Sequence, residues 1–276
     1  MLHCIASPSI AHGGTEQWWM LGAVILITCI AISVVKRKVY PLGCRLVFCV
    51  LILLLLPAVS NHPRSPRMYC SNHLKQIALA LHHYHVEWDS LPPPVTYGED
   101  GRAMHSWREL ILPYLDAEGL DKTYRLDEPW NGPHNSQLIT AIPGVFQCSE
   151  AGSDASRTNY LAVVSSRGSQ PQAAWTDGSA IRFRDFLDGT SNAILIVESC
   201  TDSVVWTEPC DLRYETLPLA INHEIGVGLS SKHPGGCQFV LADGSVRFVS
   251  QTLPAETLRK LLLRNDGEDV GDRDYW

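Results

Sequence analysis

The chain has 276 residues, with 22 Lys and Arg against 29 Asp and Glu, and a formal net charge of −7. Residues 61–276 carry eighteen Lys and Arg against twenty-eight Asp and Glu, a net charge of −10. Such an acidic surface repels phosphate backbones, and no basic stripe interleaved with aromatic residues offsets it. We therefore expect no nucleic-acid partner.

Two apolar stretches near the N-terminus have the composition of membrane spans. Residues 18–35 contain no charge and approach the ~20 apolar residues that cross a bilayer as a helix. A shorter stretch, at about residues 42–60, follows a basic loop at 36–45. Basic loops favour the cytoplasm, and whether the second span fully crosses is left open. The pattern predicts an exoplasmic tail at 1–17, an anchor in the cytoplasmic (inner) membrane at 18–60, and an exported domain on the periplasmic side at 61–276.

Three segments of the predicted exported domain have helical patterns. Apolar residues three and four apart over residues 68–88 predict a long amphipathic helix. Residues 106–116 predict a second helix, with Ser106 as N-cap and Glu109 completing a capping box. Residues 254–267 predict a C-terminal helix that ends at Gly267.

Strand patterns lie between the second and third of these helices. The short β-favouring runs are residues 158–166, 179–186, 191–199 and 202–208. A hairpin follows with Asp243-Gly244 as its turn, and we expect Leu241 opposite Val246 and Phe239 opposite Phe248. The order of elements predicts an α+β fold, in which the long amphipathic helix packs on an antiparallel sheet.

The hairpin also contains a spacing of His233, nine residues, then Asp243-Gly244. This spacing is open to a catalytic pair or a metal site, but Asp-Gly between alternating apolar runs favours a turn. No nucleophile, zinc-protease or phosphate-loop motif occurs. We assign no catalytic residue and no cofactor, and expect a protein that is not an enzyme.

A metal-binding (Ca or Zn) ectodomain with a ligand-binding or enzymatic role is the alternative. His82 and His85 lie three apart on the predicted helix and so are able to meet one metal ion, although a packed or solvated face is the favoured interpretation. Loop carboxylates offer Ca²⁺ ligands or an acid–base pair, but surface solvation is again favoured. These carboxylates are Asp127, Glu128, Asp185, Asp188, Glu198 and Glu208.

Five of the nine cysteines lie in residues 61–276, and no C-x-x-C occurs. In an exported domain these cysteines are able to oxidise. Cys70 with Cys148 is the first choice of disulfide and Cys200 with Cys210 the second. All five being reduced and buried remains open.

Several stretches together resemble a bacterial family known from planctomycetes, the domain of unknown function 1559. They include CSNHLKQIALALHHYH, SWRELILPYLD, FQCSEA, DGTSNAILIVES and KHPGGCQFVLADGSVRF, in this order. Many members are labelled prepilin-type and end in the H-X9-DG signature, which His233, Asp243 and Gly244 match. The resemblance implies a pilin-like fold, places Cys70 and Cys148 at the two recurrent cysteine positions, and carries no established enzymatic activity.

The chain departs from the prepilin pattern at one position, because Phe48 stands where a prepilin has its glutamate. The apolar stretch at residues 18–35 is also additional to that pattern. We therefore expect a permanently anchored, pseudopilin-like protein that is a structural or protein-interaction component of the cell envelope. Its expected partners are other envelope or pilin-like proteins and the lipid bilayer.

Overall fold

The structure is a computed structural model that describes residues 66–117, 119–150, 154, 156–200, 204–224 and 226–270. These residues belong to one compact unit, residues 64–276. Its α-helices are α1 (Pro66–Trp88), α2 (Trp107–Leu110), α3 (Leu120–Thr123) and α4 (Ala255–Leu262). Its strands are β1 (Val95–Tyr97), β2 (Ala103–Ser106), β3 (Tyr160–Ser165), β4 (Trp175–Thr176), β5 (Ile194–Glu198), β6 (Leu212–Arg213), β7 (Gly236–Leu241) and β8 (Val246–Ser250).

The strands form a small hairpin and a larger sheet. Strands β1 and β2 pair antiparallel. The larger sheet has the order β4-β3-β5-β7-β8, with β6 also paired to β3. Neighbours from β3 through β5 and β7 to β8 are antiparallel, whereas β4 and β6 run parallel to β3. The sheet is therefore mixed.

One face of the large sheet is covered by α1. The residues of α1 that are buried follow the helical period and include Cys70, Leu74, Ile77 and Leu81. They join Val240 of β7 in one apolar core cluster. This contact joins residues far apart in the sequence: His82 donates from Nε2 to the Ala242 carbonyl at 3.1 Å.

The opposite face of the sheet is covered by α4. Leu258, Leu261 and Leu262 of this helix are buried in a second core cluster with Phe239 and Leu241 of β7. Because successive strand residues point to opposite faces, β7 is buried on both sides. The unit thus has three layers, with the sheet between α1 and α4.

Helix α2 is fixed to β3 by a buried ion pair. Arg108 Nη2 lies 2.7 Å from Asp211 Oδ1, and both side chains are at most 3% exposed. Arg108 Nε and Nη2 also donate to the Tyr160 carbonyl, and Asp211 Oδ1 accepts from the Ala162 amide at 2.8 Å. These bonds hold α2 against β3 and keep β6, which follows Asp211, beside β3.

The structure confirms the long helix predicted at 68–88 and the capping box at Ser106 and Glu109. It shortens the second helix, because α2 has one turn and continues as a 3₁₀ turn at Leu112–Tyr114. The prediction for Gly267 is wrong: α4 ends at Leu262 with Leu263 as C-cap.

Two of the four predicted strand segments contain strands, namely β3 and β5. Residues 179–186 instead contain a 3₁₀ turn, Phe183–Asp185, because Asp185 Oδ2 accepts from the Arg182 amide and closes a tight loop. In the fourth segment, residues 201–203 lie outside the described residues, and Val205 forms an isolated bridge with Arg157.

The predicted register of the β7–β8 hairpin is wrong by one residue. Val240 lies opposite Val246, and Phe239 lies opposite Arg247. The Gly244 amide donates to the Leu241 carbonyl, and Gly244 has a φ of +83°, so the loop has three residues ending in a left-handed glycine. A slip of one residue exchanges the two faces of a strand.

The predicted fold class is corrected by the structure. The unit is α+β, but its sheet is mixed rather than antiparallel, since β4 and β6 return parallel to β3. In the part of the chain that is described, no helix is both long and apolar enough to cross a membrane. The segments predicted as spans, 18–35 and about 42–60, lie outside the described residues, as do the tail and the basic loop.

Candidate functional site

Four buried side chains with metal-ligating or redox chemistry converge between α1 and the sheet. They are Cys70, Cys148, Glu198 and His233, and their ligand atoms all lie within 4.8 Å of one another. Cys70 is on α1, Cys148 is in the loop before β3, Glu198 ends β5, and His233 is in the loop before β7. We call these four residues the buried cluster.

Local hydrogen bonds hold the two loop residues of the buried cluster. The Cys148 amide donates to Asn159 Oδ1 at 2.8 Å, which ties the loop to the residue preceding β3. The His233 amide donates to Ser231 Oγ at 3.0 Å, as in a tight serine turn. Both loops are therefore fixed by side-chain bonds rather than by strand pairing.

Glu198 is fixed by its position at the end of β5. It pairs with Tyr160 in the β3–β5 ladder, and its Oε2 accepts from the Gln238 amide of β7 at 3.2 Å. Gln238 in turn donates from Nε2 to the Arg67 carbonyl at the start of α1. This chain of contacts joins the sheet to the end of α1 that carries Cys70.

The distances inside the buried cluster are short. The Sγ atoms of Cys70 and Cys148 are 2.7 Å apart. Nε2 of His233 lies 3.5 Å from Cys148 Sγ and 3.4 Å from Glu198 Oε1. Glu198 Oε1 nevertheless meets no donor in hydrogen-bond geometry, and the buried Tyr160 hydroxyl lies beside Cys70.

Burial and mutual contact set the protonation of the buried cluster. The four residues are at most 4% exposed. A hydrogen bond from Cys148 lowers the pKa of Cys70 to about 5, and the same contact together with burial raises the pKa of Cys148. Burial raises the pKa of Glu198, against the effect of His233. The contact couples the two thiols, so the pair loses its first proton more easily than its second.

This arrangement suits two kinds of chemistry. Adjacent thiols are able to form a disulfide, and two sulfurs with a carboxylate and an imidazole are able to bind a metal ion. It does not suit attack on an external substrate, because a catalytic nucleophile requires access to its substrate and these side chains have almost none.

Of the residues predicted from the H-X9-DG spacing, His233 lies in the buried cluster and Asp243 and Gly244 do not. Asp243 Oδ1 accepts from the Ser245 amide at 2.8 Å within the hairpin loop. The Asp243 amide donates to the Thr190 carbonyl, which holds the loop against the segment before β5. His233 and Asp243 therefore occupy opposite ends of β7.

His82 and His85, the predicted metal candidates, contact the protein as packing residues. Their rings lie 4.6 and 4.2 Å from the Phe183 ring. His82 Nε2 donates to the Ala242 carbonyl, and His85 Nε2 accepts from the Phe183 amide. Neither belongs to the group of potential metal ligands found among the described residues.

Sequence reasoning grouped Glu198 with solvated carboxylates, but its side chain is fully buried. The signal that identifies it is its place at the end of an apolar strand, Ile194–Glu198, whose other residues are all buried. Among the other predicted carboxylates, Asp188 accepts from the Asp266 and Gly267 amides, which is a structural role. Cys200 is buried and Cys210 is exposed, and their pairing stays a prediction.

A separate surface cavity of about 370 Å³ lies beside α3. Its described lining is mainly apolar and includes Leu120, Leu138 and Ile142, with Asp116 as the ionisable member. A single carboxylate at the rim does not provide the convergent polar groups that a specific ligand site requires. The buried cluster is therefore the candidate site.

Comparison with known proteins gives one match. A family profile described as "Protein of unknown function (DUF1559)" matches residues 64–215 and 199–256. The match spans all four residues of the buried cluster, but it does not confirm the prepilin-like part of the resemblance. No curated protein and no solved structure matches the chain.

Proposed function

Taking as premise that the chain belongs to the DUF1559 family of proteins of unknown function, we propose that it is a structural or protein-interaction component of the cell envelope. In this proposal the unit containing α1 and the sheet acts on the periplasmic side of the cytoplasmic membrane. Its partners are other envelope proteins. Cys70 and Cys148 form a disulfide there, which ties α1 to the loop before β3.

The observation that carries a structural rather than catalytic role is the burial of the candidate site. Cys70 and Glu198 are 0% exposed, Cys148 1% and His233 4%. A substrate cannot reach these groups without opening the contact between α1 and the sheet. Groups that are reactive in type but inaccessible act by holding elements together.

The disulfide is supported by where the two cysteines lie. They are separated by 78 positions in the chain, yet their sulfurs are in contact. Disulfide formation removes two protons and two electrons, and an exported protein finds a disulfide oxidant to accept them. The same cysteine pair in the cytoplasm is kept reduced, so the bridge and the exported location support each other.

An interaction role is supported by the outer face of α1. Leu79 and Val86 lie seven residues apart on the side of α1 away from its buried positions, and they are 59% and 84% exposed. The acidic charge of residues 61–276 argues against nucleic acid as the partner. Another protein is the class of partner that such a face fits.

Peptide mapping of the unreduced full chain tests the disulfide. Trypsin cleaves after Lys and Arg, so Cys70 is released in residues 68–75 and Cys148 in residues 126–157, each as the single cysteine. We expect mass spectrometry to find these two peptides linked after expression with export and separate after reduction. Linkage of either peptide to residues 185–213 or 233–247 contradicts the pairing.

A reporter fused after residue 276 tests the location. We expect a phosphatase that is active only in the periplasm to show activity in this fusion. Activity of a reporter that works only in the cytoplasm, together with free Cys70 and Cys148, contradicts the envelope proposal. A matched fusion to an exported control protein shows that the reporter itself reaches the periplasm.

A further inference from the structure

We propose that the buried cluster in its dithiol form is a closed four-ligand site for Zn²⁺, with Cys70, Cys148, Glu198 and His233 as ligands. The inference does not depend on the envelope role proposed above, because it concerns the reduced state of the cluster. The zinc has a structural role here, holding α1, the loop before β3, β5 and the loop before β7 at one point.

The donor set matches zinc rather than calcium. Two thiolate sulfurs and an imidazole nitrogen are soft or intermediate ligands that favour Zn²⁺, whereas Ca²⁺ takes six to eight oxygen ligands. One carboxylate completes four donors, the usual coordination number of structural zinc. All four donors are protein groups and buried, so no position is left open for a water or a substrate.

An unpartnered polar atom points into this site. Glu198 Oε1 is buried without a hydrogen bond, although Oε2 of the same carboxylate is bonded to the Gln238 amide. A buried carboxylate oxygen without a hydrogen bond is costly, and a cation at the centre of the cluster satisfies it. The bond to Oε2 holds the carboxylate in place from the outside, as hydrogen bonds to zinc ligands commonly do.

Two edges of the cluster already have the spacing of a tetrahedral zinc site. Ligands at the usual Zn–N and Zn–O distances of about 2.0–2.1 Å are ~3.4 Å apart, and a nitrogen and a sulfur ligand are ~3.6 Å apart. The corresponding distances here are 3.4 Å from His233 Nε2 to Glu198 Oε1 and 3.5 Å from His233 Nε2 to Cys148 Sγ.

The distance between the two sulfurs is the one that differs between the zinc-bound form and the disulfide form. Two zinc-bound thiolates are ~3.8 Å apart, about 1 Å more than the 2.7 Å between the Cys70 and Cys148 sulfurs. Zinc and a disulfide are therefore alternatives at this site. Transfer of two electrons from the thiolates to a disulfide oxidant joins the sulfurs, releases Zn²⁺ and converts the oxidant into two thiolates, which take up protons from the solvent.

Zinc content of the reduced full chain is the first measurement. The chain is reduced with a phosphine, loaded with Zn²⁺, desalted and analysed for metal. We expect one zinc per chain in the wild type and in Cys210→Ser, an exposed cysteine outside the cluster. We expect loss of that zinc in Cys148→Ser and an affinity at least about tenfold weaker in Glu198→Gln.

The absorption spectrum of the chain with Co²⁺ in place of Zn²⁺ shows which atoms bind the metal. In the wild type, Co²⁺ is expected to give sulfur-to-cobalt charge-transfer absorption in the near ultraviolet and tetrahedral bands in the visible. If circular dichroism shows that Cys148→Ser does not fold, the wild-type cobalt spectrum still decides whether sulfur atoms bind the metal. A folded, reduced wild type without stoichiometric zinc, or an unchanged cobalt spectrum in folded Cys148→Ser, overturns the proposal.

Oxidation of the zinc-loaded chain separates this inference from the disulfide proposal. With glutathione disulfide as oxidant, we expect one zinc to appear in a chelator assay as the peptides containing Cys70 and Cys148 become linked. Zinc that stays bound to a chain with those peptides linked contradicts the alternation. Linked peptides in a chain that never bound zinc overturn only the zinc site.

Discussion

Reduction of the Cys70–Cys148 pair is expected to destabilise the unit by an amount set by the length of chain between the two cysteines. They are 78 positions apart, and a cross-link closing a loop of this length lowers the entropy of the unfolded chain by the equivalent of about 4.5 kcal/mol. For a unit of about 200 residues, where ~1 kcal/mol moves Tm by about 2–4 °C, this corresponds to ~9–18 °C.

The assay is urea unfolding of the full chain with and without a phosphine reductant, with a chelator present in both so that no metal contributes. We expect the reductant to lower the unfolding midpoint of the wild type and of Cys210→Ala. The double variant C70A/C148A has no bridge to lose, so its midpoint is expected to be insensitive to reductant. The packing that C70A/C148A loses is the same with and without reductant, so it cancels when the two midpoints of this variant are compared.

A wild-type midpoint that does not move with reductant, in a sample whose peptides are shown to be linked, refutes this reasoning. Equal shifts in the wild type and C70A/C148A also refute it, because the shift then comes from another pair. Each single variant also lacks the bridge, so loss of the reductant shift in both C70A and C148A assigns the effect to this pair.

Three further substitutions have definite expected outcomes. Asp211→Asn leaves buried Arg108 uncompensated and is expected to cost about 3–5 kcal/mol in urea unfolding, with little change in Asp243→Asn. Burial raises the pKa of Glu109 to about 8, so its stabilising contribution is full below pH ~4.5 and is lost as the pH rises through about 8. In the wild type the free energy of unfolding is expected to fall by up to about 5 kcal/mol between those pH values, and Glu109→Gln is expected to remove this fall. The same dependence of unfolding free energy on pH in both proteins refutes this. Gly236→Ala places a β-carbon 2.0 Å from a backbone oxygen of β8 and is expected to lower Tm by several degrees, measured by circular dichroism against an alanine at an open glycine.

The parts of the fold that were predictable are those governed by local pattern. The buried positions of α1 repeat with the helical period, so Leu74, Ile77 and Leu81 identified its inner face. Ser106 and Glu109 bond to each other's backbone within one turn, so their role required no knowledge of the rest of the chain. Trp88 shows the limit of the pattern, because it continues the apolar spacing but lies at the exposed end of the helix.

The parts that were not predictable depend on partners distant in the sequence. The strands β4 and β6 have two residues each and exist because they lie beside β3, which no local pattern reveals. The prediction of the hairpin register was wrong because an Asp243-Gly244 pair suits loops of two residues and loops of three residues. The choice depends on the bond from the Asp243 amide to the Thr190 carbonyl, which a different part of the chain provides.

The candidate site was predicted in part. Cys70 and Cys148 are the first choice of disulfide from the sequence, in agreement with the family resemblance, and the structure brings their sulfurs into contact. His233 was identified by its spacing but assigned to loop structure alone. Glu198 was missed because it was grouped with carboxylates at strand ends, which are normally solvated, and its place in the fully buried strand β5 was not used.

The position of α1 against β7 has a consequence for how the protein is made. His82 and Ala242 are 160 positions apart, and Arg67 and Gln238 are 171 apart, so α1 meets β7 only after a long further stretch of chain has been synthesised. At a translation rate of about 5–20 residues per second, α1 waits roughly 8–30 s before β7 exists. During that interval only the earlier strands β3 and β5 are available to share the apolar core of α1. The part of the helix face that packs on β7 therefore stays uncovered until β7 has been made.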